Sequence, residues 1–380
     1  MDPVIPMCKL WSSFKKEKIV YKSPVPYKTS KIEPTAYDLV DSNPNEYIKP
    51  DIYNQYLLEL DNHGNPLKPE IFKDLEKKAN PFESIGTSIF IDRSSVELAN
   101  LDAIFKLTKP FLGLLGTVLS PDIRGGQDFI FCVLNSVSGG FTQYIQYRKK
   151  RTIGFGMSPK PKNDSGNPNR NVIETNGINI FHIELGSDLS GNVCTNGNGL
   201  SKKILKYHPY GLDLVVAGGM FDYDDHRQRN FKMLVCEILV ALKSLSKTGK
   251  FACKIYDSIE PVMVELLYIV ATCFEKFYII KPASTRPSSS NRYIIGVSLR
   301  KGEIDTQIKI LNDLASTDEV PKHIIIYNQI DSKFVKYIYK NNNEVMSNQI
   351  KYLKIINSEQ IHYNKEYNLV RFSYLWDIPS

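Results

Sequence analysis

The sequence lacks the features of a membrane-spanning or secreted protein. No stretch approaches the ~18 apolar residues that a membrane-spanning helix needs, and the longest apolar segment, residues 262–273, is interrupted by Glu265. The first residues contain no basic segment that leads into an apolar run, so we expect no secretory signal.

Cysteine is scarce, and its spacing argues against a zinc site or a disulfide scaffold. The 380 residues include six cysteines and no CxxC pair: Cys8, Cys132, Cys194, Cys236, Cys253 and Cys273. Structural zinc sites and disulfide frameworks rely on closely spaced cysteines. We therefore expect no bound metal, and reduced thiols in the nucleus or cytosol.

A strong charge imbalance is also missing. The 48 Lys and Arg residues exceed the 41 Asp and Glu residues only modestly, and the formal net charge is +7. Such an excess would suit a polyanion such as RNA only if it lay on one face. A solvated, lysine-rich surface is the simpler interpretation, and charge alone favours it. With 42% hydrophobic and 23% charged residues, the composition is typical of a globular domain.

Three segments of the chain differ in pattern. Residues 1–70 interleave Lys, Tyr and Pro without a helical or strand period, and because proline fixes φ we predict an extended arm there. This arm would pack on the protein's own core or contact a partner, and we favour the first. Residues 71–302 form the predicted main domain. Residues 303–380, with a helical pattern near 305–314, are predicted to pack beside it as an appendage.

The main domain alternates apolar strands with helices. The predicted strands are residues 129–134, 152–157, 178–182, 212–217, 249–255, 277–281 and 292–297, and the predicted helices include 141–148, 229–245 and 261–274. Buried strands that alternate with helices of this length indicate an α/β fold, a doubly wound and mostly parallel sheet. The last two strands are joined by a short Pro/Ser loop and predict an antiparallel hairpin at one edge.

In such a sheet the ligand lies beyond the carboxyl ends of the strands. Ser138-Gly139-Gly140 follows the first strand, but a glycine pair alone is weak support for a nucleotide site and is equally typical of a structural turn. The loop Lys281-Pro282-Ala283-Ser284-Thr285-Arg286-Pro287 places two cations beside prolines. A stiff basic loop of this kind suits a phosphodiester backbone.

Several segments between about residues 70 and 380 form an ordered set of motifs. They are Lys78-Ala79-Asn80-Pro81-Phe82-Glu83, Ala99-Asn100-Leu101-Asp102, Ser138-Gly139-Gly140-Phe141, Tyr147-Arg148-Lys149-Lys150, Gly154-Phe155-Gly156-Met157, Phe251-Ala252-Cys253-Lys254, Lys281-Pro282 with Ser290-Asn291-Arg292-Tyr293, and Leu375-Trp376-Asp377-Ile378-Pro379. This ordered set resembles one family, the FtsJ-type RNA 2′-O-methyltransferases, and most closely the eukaryotic cap-1 (cap-specific mRNA nucleoside-2′-O-) branch.

The resemblance implies a Rossmann-like fold that binds S-adenosylmethionine over the glycine loop, and a Lys-Asp-Lys-Glu tetrad that readies the ribose 2′-hydroxyl. Matched position by position, the tetrad falls on Glu97, Gly218, Lys254 and Asn291, so that only the central lysine is retained. The cofactor positions fall on Ser138, Gly139, Gly140, Asn192 and Gly218. A β-branched Val137 stands where the family has its first loop glycine.

The same resemblance implies contacts to capped RNA. The matching positions are Asn80, Arg148, Lys149, Lys150, Lys281, Arg286 and Arg292. The alternative is that these cations pair with neighbouring acids, and we weigh the two interpretations equally. We also expect a protein partner in a capping or transcription complex, and we expect no membrane partner.

Electrostatics separate an impaired site from an inert one. At ~4 Å and an effective dielectric near 20, one charge beside the reacting oxygen is worth roughly 4 kcal/mol. Losing that stabilisation alone costs about a thousandfold in rate. We therefore favour a catalytically degenerate member that binds RNA or the cap, or acts as a scaffold. The alternatives are an active cap ribose methyltransferase with a rearranged site and, less strongly favoured, a domain that binds another nucleotide.

Overall fold

The computed structural model describes residues 21–22, 46–80, 82–86, 89–109, 128–136, 138–159, 179–218, 227–256, 258–317, 319–324, 330–358 and 369–378. Within these ranges, no helix is long and apolar enough to cross a membrane.

Eight strands form one sheet in the order β1-β7-β8-β6-β5-β2-β3-β4. They are β1 (Tyr21–Lys22), β2 (Phe129–Leu134), β3 (Thr152–Met157), β4 (Asn179–Ile183), β5 (Leu212–Ala217), β6 (Leu245–Ile255), β7 (Phe274–Ile280) and β8 (Arg292–Leu299). The five strands from β6 to β4 are parallel, whereas β8 pairs antiparallel with both β6 and β7. The predicted Rossmann-like α/β fold with an antiparallel hairpin is therefore confirmed.

Ten α-helices are described beside the sheet. They are α1 (Pro50–Leu60), α2 (Pro69–Lys78), α3 (Arg93–Phe105), α4 (Gly140–Arg148), α5 (Val193–Tyr207), α6 (Arg227–Ser244), α7 (Pro261–Thr272), α8 (Asp305–Ser316), α9 (Ser332–Asn357) and α10 (Leu369–Trp376). The predicted strand 129–134 coincides with β2, and the predicted helices 141–148 and 261–274 agree with α4 and α7 to within two residues.

The sheet is buried on both faces, which explains why its strands are apolar without alternation. In β2, Cys132 and Leu134 pack into one core together with α5, α6 and α7. The neighbouring Phe131 and Val133 point to the opposite face and pack into a second core with α3 and α4. The sheet is therefore a rigid platform, and its strand ends define two edges, the carboxyl edge and the amino edge.

The prediction of an extended arm is wrong for residues 50–60, which form α1. Pro50 supplies a favourable first helical residue, and Ile52, Tyr53 and Tyr56 pack against a small core that includes Met346 of α9. Nearby, the Tyr47 carbonyl accepts a 3.0 Å hydrogen bond from Asn342 Nδ2. The described parts of this segment therefore pack on the rest of the chain. Whether its boundary lies at residue 70 stays a prediction.

Residues beyond 302 are integrated with the sheet. Phe334, Tyr337 and Ile338 of α9 belong to the main core, and the Tyr337 hydroxyl accepts a 2.6 Å hydrogen bond from the backbone N–H of Ile279 in β7. Trp376 of α10 packs against Phe82 with ring centroids 5.4 Å apart. The C-terminal helices thus complete the core, and the predicted boundary near 303 remains untested.

Candidate functional site

The candidate site lies at the carboxyl edge, where β6 ends, β8 begins and α3 crosses both. Lys254 is the penultimate residue of β6, and it lies directly opposite Tyr293 in the antiparallel β6–β8 ladder. Asp92 caps the start of α3 by accepting a 2.7 Å hydrogen bond from the backbone N–H of Ser94. This cap fixes the helix so that Glu97, one turn later, reaches the strand ends.

Glu97 and Lys254 form an ion pair. The Lys254 Nζ atom lies 3.1 Å from Glu97 Oε2, and 19% and 11% of the two side chains remain exposed. The same Oε2 atom accepts a hydrogen bond from the fully buried Tyr293 hydroxyl, whose pKa is raised by burial and by the neighbouring Glu97 carboxylate. The carboxylate therefore neutralises the Lys254 ammonium and holds it in one position.

A second lysine, Lys281, lies in the same electrostatic environment but faces away into the loop. It is buried, and its Nζ atom donates to the backbone carbonyls of Ser289 and Asn291, the latter at 3.1 Å. Burial, together with repulsion from Arg292, lowers the pKa of Lys281 to about 7. This lysine fastens the loop between β7 and β8, and with a pKa of about 7 it is only partly protonated at neutral pH.

The two remaining tetrad positions carry no ionic group. The side-chain Oδ1 atom of Asn291 is buried and finds no hydrogen-bond partner among the described residues. At Gly218, a Cβ atom would lie 2.4 Å from the ring of Phe141. The glycine is therefore required by packing, and an aspartate at this position would collide with Phe141.

The glycine turn forms the start of α4. Gly139 adopts φ +83°, the left-handed region that glycine tolerates, and it caps the helix. A Cβ atom on Gly140 would lie 2.2 Å from Asp92 Oδ1, so the turn packs tightly against the start of α3. Ser138 precedes this turn, and Val137 lies outside the described residues.

Asn192 lies at the start of α5, where its side-chain oxygen accepts a 3.0 Å hydrogen bond from the backbone N–H of Cys194. Its oxygen therefore caps the helix and keeps one further lone pair. A ligand contact could use its amide nitrogen or the second lone pair of the oxygen.

The residues beside the glycine turn fit the amino-acid end of S-adenosylmethionine. The Oδ2 atom of Asp92 is buried without a hydrogen-bond partner in the described part of the chain, next to Gly140. An unpaired buried carboxylate oxygen is unfavourable, and an ammonium group would satisfy it. The free N–H groups of the first turn of α4 would suit a carboxylate.

No metal centre accompanies these groups. The described residues contain no cluster of three or more His, Cys, Asp or Glu side chains that could hold an ion.

Comparison with known proteins decides the family. The sequence model of the FtsJ-like methyltransferase family matches residues 91–299. The chain belongs to this family. Three curated relatives share the name "Cap-specific mRNA (nucleoside-2'-O-)-methyltransferase 1". They are 32% identical over 329 residues in Dictyostelium discoideum, 30% over 295 in Drosophila melanogaster and 29% over 320 in Homo sapiens.

These alignments cover 78%, 72% and 77% of this chain but only 42%, 36% and 37% of the relatives. The chain therefore spans about two fifths of the length of the curated relatives it matches. Among solved structures, human methyltransferase-like protein 13 in complex with SAH aligns with 58% of this chain and 91% of that chain, at 11% identity. Its TM-score of 0.30 is too low to carry an argument.

Two cations assigned to RNA by the FtsJ-family resemblance are buried. Arg292 is 0% exposed and donates a 2.7 Å hydrogen bond to Asn342 Oδ1 of α9. Lys281, described above, is bound to carbonyls of its own loop. In this structure their donors bind groups of the fold, and a contact of either side chain with RNA stays a prediction.

The other predicted RNA contacts divide between two edges of the FtsJ-like domain. Asn80 is buried and bonds Glu83, while Arg286 bridges Glu76 and Glu83, each at 3.1 Å. Arg148 pairs with Asp377, and it lies with Lys149 and Lys150 where α4 ends and β3 begins. That end of α4 is the amino edge of the sheet, so these three cations cannot share one short ligand with Lys254.

Sequence reasoning missed several residues that build the site. Tyr293 and Asp92 contribute to it directly, and Arg93 donates a 2.8 Å hydrogen bond to the Ser284 carbonyl and so fixes the loop after β7. The position of β8 between β6 and β7 could have revealed Tyr293, since that order makes it the cross-strand neighbour of Lys254.

Proposed function

We propose that this FtsJ-family chain binds the capped end of mRNA without transferring a methyl group to it. The Lys254–Glu97 ion pair carries the proposal. Methyl transfer to a ribose hydroxyl needs positive charge beside the oxygen as it loses its proton. Here the ammonium is neutralised by a carboxylate, which would also repel the developing negative charge.

The RNA part of the proposal rests on the family and on charge. The curated relatives are named as cap-specific mRNA methyltransferases, and the net charge of this chain is +7. Because Lys281 and Arg292 are buried, binding would depend on other side chains of the predicted set. The accessible ones are the exposed Lys150 and the partly exposed Arg148, Lys149 and Arg286.

S-adenosylmethionine would bind at the glycine turn. Ser138, Gly139 and Gly140 would face the amino-acid end through the first turn of α4, and Asp92 would accept its ammonium. When bound, this molecule supplies an electrophilic methyl group. Glu97 holds the proton-bearing Lys254 in place, so the chain would retain the ligand without activating an acceptor.

The decisive experiment is a transfer assay with labelled S-adenosylmethionine and RNA carrying a cap. We expect no cap-dependent label above that of a Lys254→Ala control. The same preparation should bind capped RNA in a filter-binding titration at physiological salt, with affinity falling as salt rises. Robust transfer that is lost in Lys254→Ala would overturn the proposal that the chain transfers no methyl group. Absence of RNA binding would overturn the proposal that it binds capped mRNA.

An active enzyme with a rearranged site is the second candidate, and one observation favours it. Glu97 supplies, from α3, a carboxylate that orients Lys254, which is the task of the aspartate missing at Gly218. In that case Glu97→Gln would lower transfer by about a hundredfold or more, because Lys254 would lose its orientation. If the site is inert, this variant and the unaltered chain give the same background.

A further inference from the structure

Two thiols face each other between α5 and α6, apart from the Lys254 site. Cys194 is the second residue of α5, Cys236 lies in the middle of α6, and the two thiols lie close enough for each to shift the pKa of the other. Cys194 is half-buried, whereas Cys236 is 4% exposed. The first thiol is therefore reachable from solvent and the second lies directly behind it.

The helices approach closely at this register. One turn after Cys194, a Cβ atom on Gly197 would lie 2.7 Å from Cγ2 of Val240, which is one turn after Cys236. Residues three or four apart lie on the same helix face, so the Gly197–Val240 contact and the two cysteines belong to one interface. Missing side-chain volume at Gly197 lets the two helices approach closely, as a disulfide between them requires.

The two thiols differ in reactivity. A hydrogen bond from Cys236, with help from the nearby Lys232 ammonium, lowers the pKa of Cys194 against the opposing effect of burial. Its place in the first turn of α5 also favours the thiolate. The same hydrogen bond and burial raise the pKa of Cys236, which is the donor. Cys194 is thus the nucleophile and Cys236 the resolving thiol.

The other described cysteines lack these properties. Cys132, Cys253 and Cys273 are 0% exposed, and burial raises the pKa of each. Thiols in such surroundings are inert, since the thiolate is the reactive form. Cys8 lies outside the described residues.

We propose that Cys194 is a modification site for low-molecular-weight disulfides such as glutathione disulfide, and that Cys236 converts the adduct into an internal disulfide. The Cys194 thiolate attacks one sulfur of the small disulfide, forming a mixed disulfide and releasing one thiol. Cys236 then loses its proton and attacks the Cys194 sulfur, which releases the second small thiol. Two protein thiols are oxidised and one small disulfide is reduced to two thiols.

The new bond would act on the turn that precedes α5. The backbone N–H of Cys194 donates to the Asn192 side chain, and Gly191 beside it has φ +67° with no room for a Cβ atom next to the Ser158 carbonyl. Linking Cys194 to α6 would fix this turn at the carboxyl edge of the sheet. The predicted result is a change in ligand access at Asn192 that follows the thiol redox state.

The test exposes the full chain to glutathione disulfide and reads the products by intact mass and peptide mapping after alkylation. The unaltered chain should lose two hydrogens and yield a Cys194–Cys236 cross-linked peptide, reversed by dithiothreitol. Cys236→Ser should stop at the glutathione adduct on Cys194, and Cys194→Ser should give neither product. Cys273→Ser, a matched control, should behave like the unaltered chain.

If a variant fails to fold, the products formed by the unaltered chain are sufficient to test the proposal. A preparation in which Cys194 and Cys236 both stay alkylatable under an oxidising glutathione poise would overturn the proposal. A glutathione adduct that persists equally on the unaltered chain and on Cys236→Ser would overturn it too, because resolution by Cys236 would then not occur.

Discussion

At the scale of single residues, Glu97 has a different role from the one its charge suggested. The FtsJ resemblance matched it to the first lysine of the tetrad, so the sequence indicated the loss of a positive charge there. In the structure its Oε2 atom accepts hydrogen bonds from both Lys254 and Tyr293, so its first effect is to hold and neutralise the lysine. The contact unites two positions that are 157 residues apart, which no local pattern could indicate.

Lys281 gives the chain a pH dependence of stability. Because burial lowers its pKa to about 7 from the ordinary value of 10.5, the unfolded chain binds more protons than the folded chain between those two values. Stability should therefore rise as pH rises through this window. Denaturant unfolding at pH 7, 8.5 and 10, set by those two pKa values, should show this rise, and Lys281→Met should reduce it.

The control for Lys281 is Lys247→Met, which removes an exposed lysine in the same way. It should retain most of the slope. An identical slope in the unaltered chain and Lys281→Met would contradict the assignment.

Gly218 should resist replacement because Phe141 occupies the space of a side chain. With only 2.4 Å between a Cβ atom and the Phe141 ring, Gly218→Ala should lower the free energy of unfolding by about 1–3 kcal/mol, and Gly218→Asp by at least as much. Chemical denaturation measures both. Gly199, which has open space in α5, is the matched control, and Gly199→Ala should stabilise by about 0.5–1 kcal/mol.

At the scale of elements, the loop between β7 and β8 is fixed by cations of the fold. Arg286 bridges Glu76 of α2 and Glu83, while Arg93 of α3 donates to the Ser284 carbonyl. The sequence correctly indicated a basic, rigid loop. Pairing with acids was one of the two interpretations that the sequence left open. The sequence could not identify Glu76 and Glu83 as the partners of Arg286, because they lie about two hundred residues earlier.

Arg286→Met should loosen this loop with little effect on overall stability. The pair is partly solvated, with 32% of the Arg286 side chain exposed, so we expect about 1 kcal/mol in unfolding free energy. Hydrogen exchange should accelerate in residues 282–291 and remain unchanged in β2. Unaltered exchange in the loop would show that the bridges do not hold it. Arg151→Met, which breaks an exposed pair with Asp128, is the control.

For the whole molecule, the order of strands and helices was largely readable from the sequence. The predicted strand at residues 129–134 is confirmed, because a strand that is buried on both faces needs a continuous run of apolar residues. The prediction of an extended arm is wrong at α1. The apolar residues of this helix pack against α9, which lies almost three hundred residues later, so no local pattern could indicate their burial. The side-chain contacts of the candidate site could not be predicted either, because partners such as Asn342 for Arg292 depend on packing between distant segments.

Removing residues 303–380 should unfold the protein. Phe334 and Ile338 fill the main core, and Asn342 satisfies the buried guanidinium of Arg292. A chain of residues 1–302 would expose this core and remove a hydrogen-bond partner of the buried Arg292 guanidinium. Calorimetry should show no cooperative transition for it, beside a clear one for the full chain. An unchanged transition would mean that the C-terminal helices are a separable appendage.

The hydrogen bond from Asn342 to the Tyr47 carbonyl spans 295 residues, and β8 inserts between two strands that precede it in the chain. Contacts between residues so far apart in the sequence form slowly, because closing the long intervening loop costs conformational entropy. During synthesis, the apolar surfaces of β6 and β7 must wait for later segments before they are covered. A nascent chain halted near residue 300 would therefore expose apolar surface and be prone to aggregate. Its folding would depend on rapid completion of synthesis or on shielding by chaperones.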